Sequence, residues 1–123
     1  MKKIIWSVAI YLFIITACSS DNEEELFPNN TCDTTSVSFT DDIVPIFTAS
    51  CLGCHSLAAA PFAGANIILE GYDNVLVQIT NQRLVGSIEH ASNFSPMPKG
   101  GAKLPACEID KIKAWVNNGA PNN

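Results

Sequence analysis

The five residues Cys51-Leu52-Gly53-Cys54-His55 carry the densest chemistry in the chain. Two thiols three positions apart, with an imidazole directly after them, read as a c-type haem attachment site. Each thiol can add across one vinyl group of a porphyrin to give a thioether. The histidine that follows is then held beneath the iron, where a ring nitrogen can ligate it. Two other readings compete. A thioredoxin-like redox pair calls for a βαβ context, which the surrounding sequence lacks. A zinc site calls for more Cys or His ligands at short spacing, and His90, Cys18, Cys32 and Cys107 lie far off in sequence.

A second stretch, Ser95-Pro96-Met97-Pro98-Lys99-Gly100-Gly101, offers a thioether. Proline on both sides of Met97 restricts the backbone and biases Ser95 and Met97 toward extended geometry. This holds a sulfur in place without a helix, so Met97 is expected as the distal ligand of the iron. The competing reading is a methionine that fills a gap in the core, a task that does not require two flanking prolines. Arg83 is the only arginine in the chain. Its planar fork matches a carboxylate, so it is expected to pair a haem propionate; an ordinary exposed arginine is the alternative. His90 is either a second axial ligand or a solvent-facing side chain.

These residues need helices to position them. Thr40 to Ser50 is expected to be helical, N-capped by Thr40 or Asp42, with Asp41 and Asp42 at the positive end of the dipole. Pro45 is tolerated if it falls in the first turn. Ile43, Ile46 and Phe47 then share one face. Ser56 to Gly64 is small and flexible in composition and reads as a loop around the porphyrin, with Phe62 positioned to cover it. Tyr72 to Thr80 and Leu84 to Glu89 read as helices, although their β-branched content leaves strand as the alternative. Pro105 to Asn118 has the clearest helical pattern: Ile109, Ile112 and Val116 on one face, Trp115 at its edge, and Gly119 as the stop.

The chain has 123 residues, enough for one ordinary domain. It opens with Met1-Lys2-Lys3, an apolar run from Ile4 to Ile15, and Thr16-Ala17-Cys18. A charged start, a short apolar region and small residues form a secretory leader. Ile15-Thr16-Ala17-Cys18 resembles a bacterial lipoprotein signal, which implies cleavage before Cys18 and lipid on its thiol. An uncleaved anchor helix is the alternative. Residues 18–31 are polar and acidic after Cys18 and cannot offset their ordering entropy by burial, so they read as a flexible tether. The domain then spans 32–123. Of the five cysteines, Cys18 takes lipid and Cys51 and Cys54 take haem. Cys32 and Cys107 remain, and in an exported chain they are expected to form a disulfide, worth roughly 4 kcal/mol by loop entropy. Two free buried thiols are the alternative.

The whole chain carries a formal net charge of −5, from 7 Lys and Arg against 12 Asp and Glu. Loss of Lys2 and Lys3 with the leader leaves 5 against 12, or −7. Such a chain lacks the basic surface that nucleic acid requires. Lys99, Lys103, Lys111 and Lys113 all lie in the last quarter. Either they form a steering dipole or they are ordinary solvated side chains.

Four segments together resemble a small monohaem c-type cytochrome domain: Asp42-Ile43-Val44-Pro45-Ile46-Phe47, Cys51-Leu52-Gly53-Cys54-His55, Pro96-Met97-Pro98-Lys99-Gly100-Gly101, and Glu108-Ile109-Asp110-Lys111-Ile112-Lys113-Ala114-Trp115-Val116. The resemblance covers about residues 39–120. It implies an all-α cytochrome c fold with crossed terminal helices around one haem, thioethers at Cys51 and Cys54, proximal His55 and distal Met97. It also implies an electron carrier rather than an enzyme, since both axial positions are filled. The expected partner is a redox protein met at the haem edge, rimmed by Lys99 and Lys103. The expected location is the cell envelope of a Gram-negative bacterium, lipid-anchored; Ser19 after Cys18 favours the outer membrane by resemblance to lipoprotein sorting. A peroxidase-like domain using Glu89 or His90, or a gas sensor that releases Met97, is the alternative.

Overall fold

The computed structural model describes residues Cys32–Asn123 as one folded unit. The expected leader (1–17), the lipidation site Cys18 and the tether (18–31) lie outside the described residues. The described residues are all-helical, with no strand among them, so the strand alternative for Tyr72–Thr80 and for 84–89 is not realised.

The chain first turns at Phe39–Ile43, a single π-helical turn that runs straight into α1, Val44–Ser50. The cap is Ser38, not the expected Thr40 or Asp42: its hydroxyl accepts from the Asp41 N–H. Asp42 answers by accepting from the Ser38 N–H at 3.0 Å. This is the reciprocal logic of a capping box, moved one residue along because the turn is one residue wider. The wide turn also makes room for Pro45, whose ring would otherwise meet the carbonyl four residues back. As expected, Ile43, Ile46 and Phe47 are buried together.

Two single turns follow: α2, Leu52–His55, and α3, Ala60–Ala63. The second lies within the stretch read as a loop. Phe62 does not cover anything there; it is 92 % exposed. Then come α4, Tyr72–Thr80, and α5, Arg83–Ile88, close to their expected bounds. The last helix, α6, is Ala106–Asn117, and Gly119 ends its trailing turn at φ +88°, a conformation that L side chains rarely adopt.

Trp115 is a centre of the core and not an edge residue: it is fully buried, whereas Val116 is only half-buried. The reason lies in its partners. Phe39 stacks on the indole with ring centroids 5.3 Å apart, and Tyr72 meets Phe39 edge-on at 5.2 Å. The indole N–H donates to the Pro121 carbonyl and the Tyr72 hydroxyl to the Ala120 carbonyl, so neither polar tip is left unpaired. This trio joins the first turn, α4 and α6. Cys32 and Cys107 form a disulfide with Cα atoms 5.3 Å apart, tying the start of the domain to the first turn of α6.

Candidate functional site

Cys51 is the joint between α1 and α2. Its N–H donates to the Phe47 carbonyl at 2.8 Å, and its own carbonyl accepts from the N–H groups of Cys54 and His55. The backbone therefore stays wound through the motif, and both thiols are free. Cys51 is half-buried against the core and Cys54 is exposed. Burial pushes the Cys51 thiol up to about 11, and the nearby Glu108 carboxylate adds to this. A thiol so disposed is protonated at neutral pH, the reverse of the thiolate that a thioredoxin-like nucleophile needs.

His55 is oriented by the loop that follows. Its Nδ1 lies 2.9 Å from the Ile67 carbonyl oxygen. A carbonyl can only accept, so Nδ1 carries the proton and Nε2 of the neutral ring keeps its lone pair. The Leu69 N–H donates back to the His55 carbonyl at 2.8 Å. Gly64 makes this approach feasible, because a Cβ there would lie 2.4 Å from the Cys54 carbonyl oxygen and 2.9 Å from His55 Nδ1.

Cys51, Cys54, His55, Arg83 and Met97 all line one cleft of about 510 Å³. Five residues spread over almost fifty positions are thus brought together, as the sequence reading requires. The walls are otherwise mainly small or aliphatic, with Ile67, Leu69, Leu84, Ile88 and Leu104 among them. Met97 is half-buried and held at both ends of its residue: its N–H donates to the Ser87 carbonyl at 3.0 Å, and its carbonyl accepts from His90 Nε2 at 2.9 Å. His90 therefore acts on the backbone of Met97. His90 is not among the residues that line the cleft.

Lys99 lines the cleft and bonds the Ser95 hydroxyl, whereas Lys103 does not line it. Glu89 pairs with Lys113 and is also absent from the walls. No carboxylate lines the cleft, and among the described residues neither Arg83 nor Lys99 has an acidic partner. The sequence reading missed three contributors: Gly64, the Ile67 carbonyl and Gln78, a buried side chain on the cleft wall whose Oε1 has no hydrogen-bond partner. Gln78 left a signal, a polar residue three positions after Val75 in an apolar helix stripe. A backbone carbonyl leaves none.

The donor set can be tested against the group it implies. A covalently held porphyrin asks for two free thiols, a ring nitrogen with an open lone pair, a second soft donor, apolar walls and cations for its acidic groups. Each is present on this one cleft, so the residues fit. Among the described residues no three His, Cys, Asp or Glu side chains gather as a metal cage. No protein-family model, curated protein or solved structure matches the chain.

Proposed function

We propose that this protein is a c-type cytochrome, an electron carrier with one haem joined to Cys51 and Cys54. The observation that carries the reading is the shared cleft: both free thiols, the Nε2 lone pair of His55 and the sulfur-bearing Met97 belong to one apolar hollow. When bound, haem supplies a one-electron ferrous/ferric couple. The chain's own residues do the rest. The Ile67 carbonyl holds the His55 ring in the tautomer that presents Nε2, and a hydrogen-bonded partner of this kind strengthens the ring as a ligand. Ser87 and His90 hold the Met97 backbone so that its thioether reaches the cleft from a fixed base. Leu69, Leu84, Ile88 and Leu104, all buried, keep water from the interior, and a dry surrounding disfavours extra positive charge and raises the potential. Arg83 and Lys99 receive the propionates at the exposed margin.

With His55 and Met97 both committed, the site has no place for substrate, and no acid–base group other than His55 and the two thiols stands beside it apart from the two cations. The carrier reading is favoured over the peroxidase-like one on that ground. The partner is another redox protein, met through a small and transient interface. The membrane attachment we assign to lipid on Cys18, in the envelope of a Gram-negative bacterium and at the outer membrane. The test is mass and absorption analysis of protein exported and matured by a host with a haem c assembly pathway. A covalent haem adduct, a sulfur-to-ferric charge-transfer band and no carbon monoxide uptake by reduced protein are expected. Met97→Ala should lose the band and gain carbon monoxide binding. Absence of a tetrapyrrole adduct would falsify the assignment.

A further inference from the structure

Phe62 is 92 % exposed and Leu57 59 %. One apolar side chain in water is ordinary, but these two do not stand alone. Ala58, Pro61, Ala63 and Ala65 are exposed along the same short run. No Asp, Glu, Lys or Arg occurs between Asp42 and Glu70, so the loop that carries α3 brings no charge of its own to the surface. The carboxylate that follows it, Glu70, accepts from the Leu57 N–H at 2.7 Å. Exposed apolar surface gathered in this way marks a contact site, and its place says which. Ala63 and Ala65 line the cleft together with Cys54. Between them Gly64 packs on the Cys54 carbonyl, which sets the Phe62 loop against that cysteine. Cys54 is exposed where Cys51 is half-buried, so of the two attachment points it is the one at the surface.

We propose that this loop is the docking face for the redox partner, and that the partner meets Phe62 and Leu57 with an uncharged, apolar surface. The inference rests on the haem reading above. A carrier must bring its partner to the cleft, and the loop is continuous with the cleft wall. One electron passes between the two proteins, and no bond forms or breaks at the loop. The charge pattern selects the partner's surface. A charged face would lose hydration against this loop with no opposite charge to meet it. Arg83 and Lys99, also on the cleft, are assigned to the propionates. A bilayer suits the loop less well. Interfacial anchors combine aromatic residues with Lys and Arg, and here no Lys or Arg occurs between Lys3 and Arg83, in a chain of net charge −5.

The experiment replaces Phe62, and separately Val77, with a photo-crosslinking phenylalanine analogue in the matured, full-length protein within its native host. Val77 is 58 % exposed on α4 and does not line the cleft. Position 62, and not 77, is expected to crosslink a protein that carries a redox group. With that protein purified, Phe62→Ser should slow second-order electron exchange about tenfold, as truncation of an aromatic anchor does. Its potential, absorption spectrum and thermal midpoint should match the parent's, and Val77→Ser should exchange like the parent. Exchange in the parent should change less than about twofold between about 10 and about 150 mM salt, a range over which charge-steered association falls steeply. Crosslinks from position 62 to a second copy of the chain, to lipid or to a protein without a redox group overturn the inference. So do a yield at 62 no higher than at 77, a rate unmoved by Phe62→Ser, and a steep salt dependence. A parent without covalent haem overturns the haem reading itself, an outcome told apart by mass before any crosslinking.

Discussion

At position 64 one methyl group decides whether His55 keeps its place. The Cβ of an alanine would meet the Cys54 carbonyl, a backbone atom with nowhere to move, and His55 Nδ1 on the other side. Overpacking of this kind costs about 1–3 kcal/mol, so Gly64→Ala should lower the urea midpoint by that amount. If His55 ligates haem as proposed, the change should also perturb the ferric absorption spectrum of the matured protein; an unchanged spectrum would show that the loop yields instead. The residue types and spacing at 51, 54, 55 and 97 stand in the sequence, and the structure places all four on one cleft. The partners that orient those side chains were not legible in the sequence. The Ile67 carbonyl and the Ser87 carbonyl are main-chain atoms that every residue owns, and only the path of the chain puts them beside His55 and Met97. His90 shows the converse, since its ring nitrogen suggested a ligand and the fold employs it on a carbonyl.

Among the elements, the first turn carries both a helix cap and a titratable ion pair. Ser38 and Asp42 satisfy each other's ends of the helix start. Ser38→Ala removes the acceptor for the Asp41 N–H and should cost about 1 kcal/mol, read as a lower thermal midpoint with the fold retained. Asp42 also meets Lys111 of α6 at 2.6 Å. That ammonium, helped by the Ser38 N–H, holds the Asp42 carboxyl below the ordinary carboxylate value. A carboxyl depressed in the folded state adds stability above its unfolded pKa, near 4, and that contribution fades as pH falls through the folded value. Urea midpoints should therefore drop between pH 5 and pH 3 more steeply in the parent than in Asp42→Asn. Equal slopes would assign the acid sensitivity to other groups. The helices themselves were readable from period and breakers, as α4 and α6 show. The π turn was not, because it reflects a compromise between the Ser38 cap and the ring of Pro45.

For the whole molecule, the Cys32–Cys107 disulfide closes a loop of 75 residues around nearly all of the domain. Replacing both cysteines with alanine should cost up to roughly 4 kcal/mol, measured by guanidinium denaturation, and, if haem is attached as proposed, should leave its attachment at Cys51 and Cys54 intact. Failure of the variant to change its midpoint would mean that the unfolded chain is held together by other means. The charge pattern also resolves at this scale. Lys111 and Lys113 are spent on Asp42 and Glu89, part-exposed pairs worth little each. Of the remaining mature cations, Arg83 and Lys99 line the cleft, whereas Lys103 does not.

By itself the sequence determined the chemistry on offer: two thiols, an imidazole and a thioether at spacings that suit one prosthetic group, and helices marked by apolar period and breakers; it left Cys32 and Cys107 as an expected pair, which the structure joins. Side-chain identity and local period are properties of short stretches, so a linear reading reaches them. Tertiary structure alone decided which donors share a cleft, that Trp115 and not Val116 fills the centre, that Phe62 faces solvent and that Gln78 faces the interior. Those outcomes depend on which surfaces of distant helices meet, and packing of that kind is settled by the sum of all contacts rather than by any one segment.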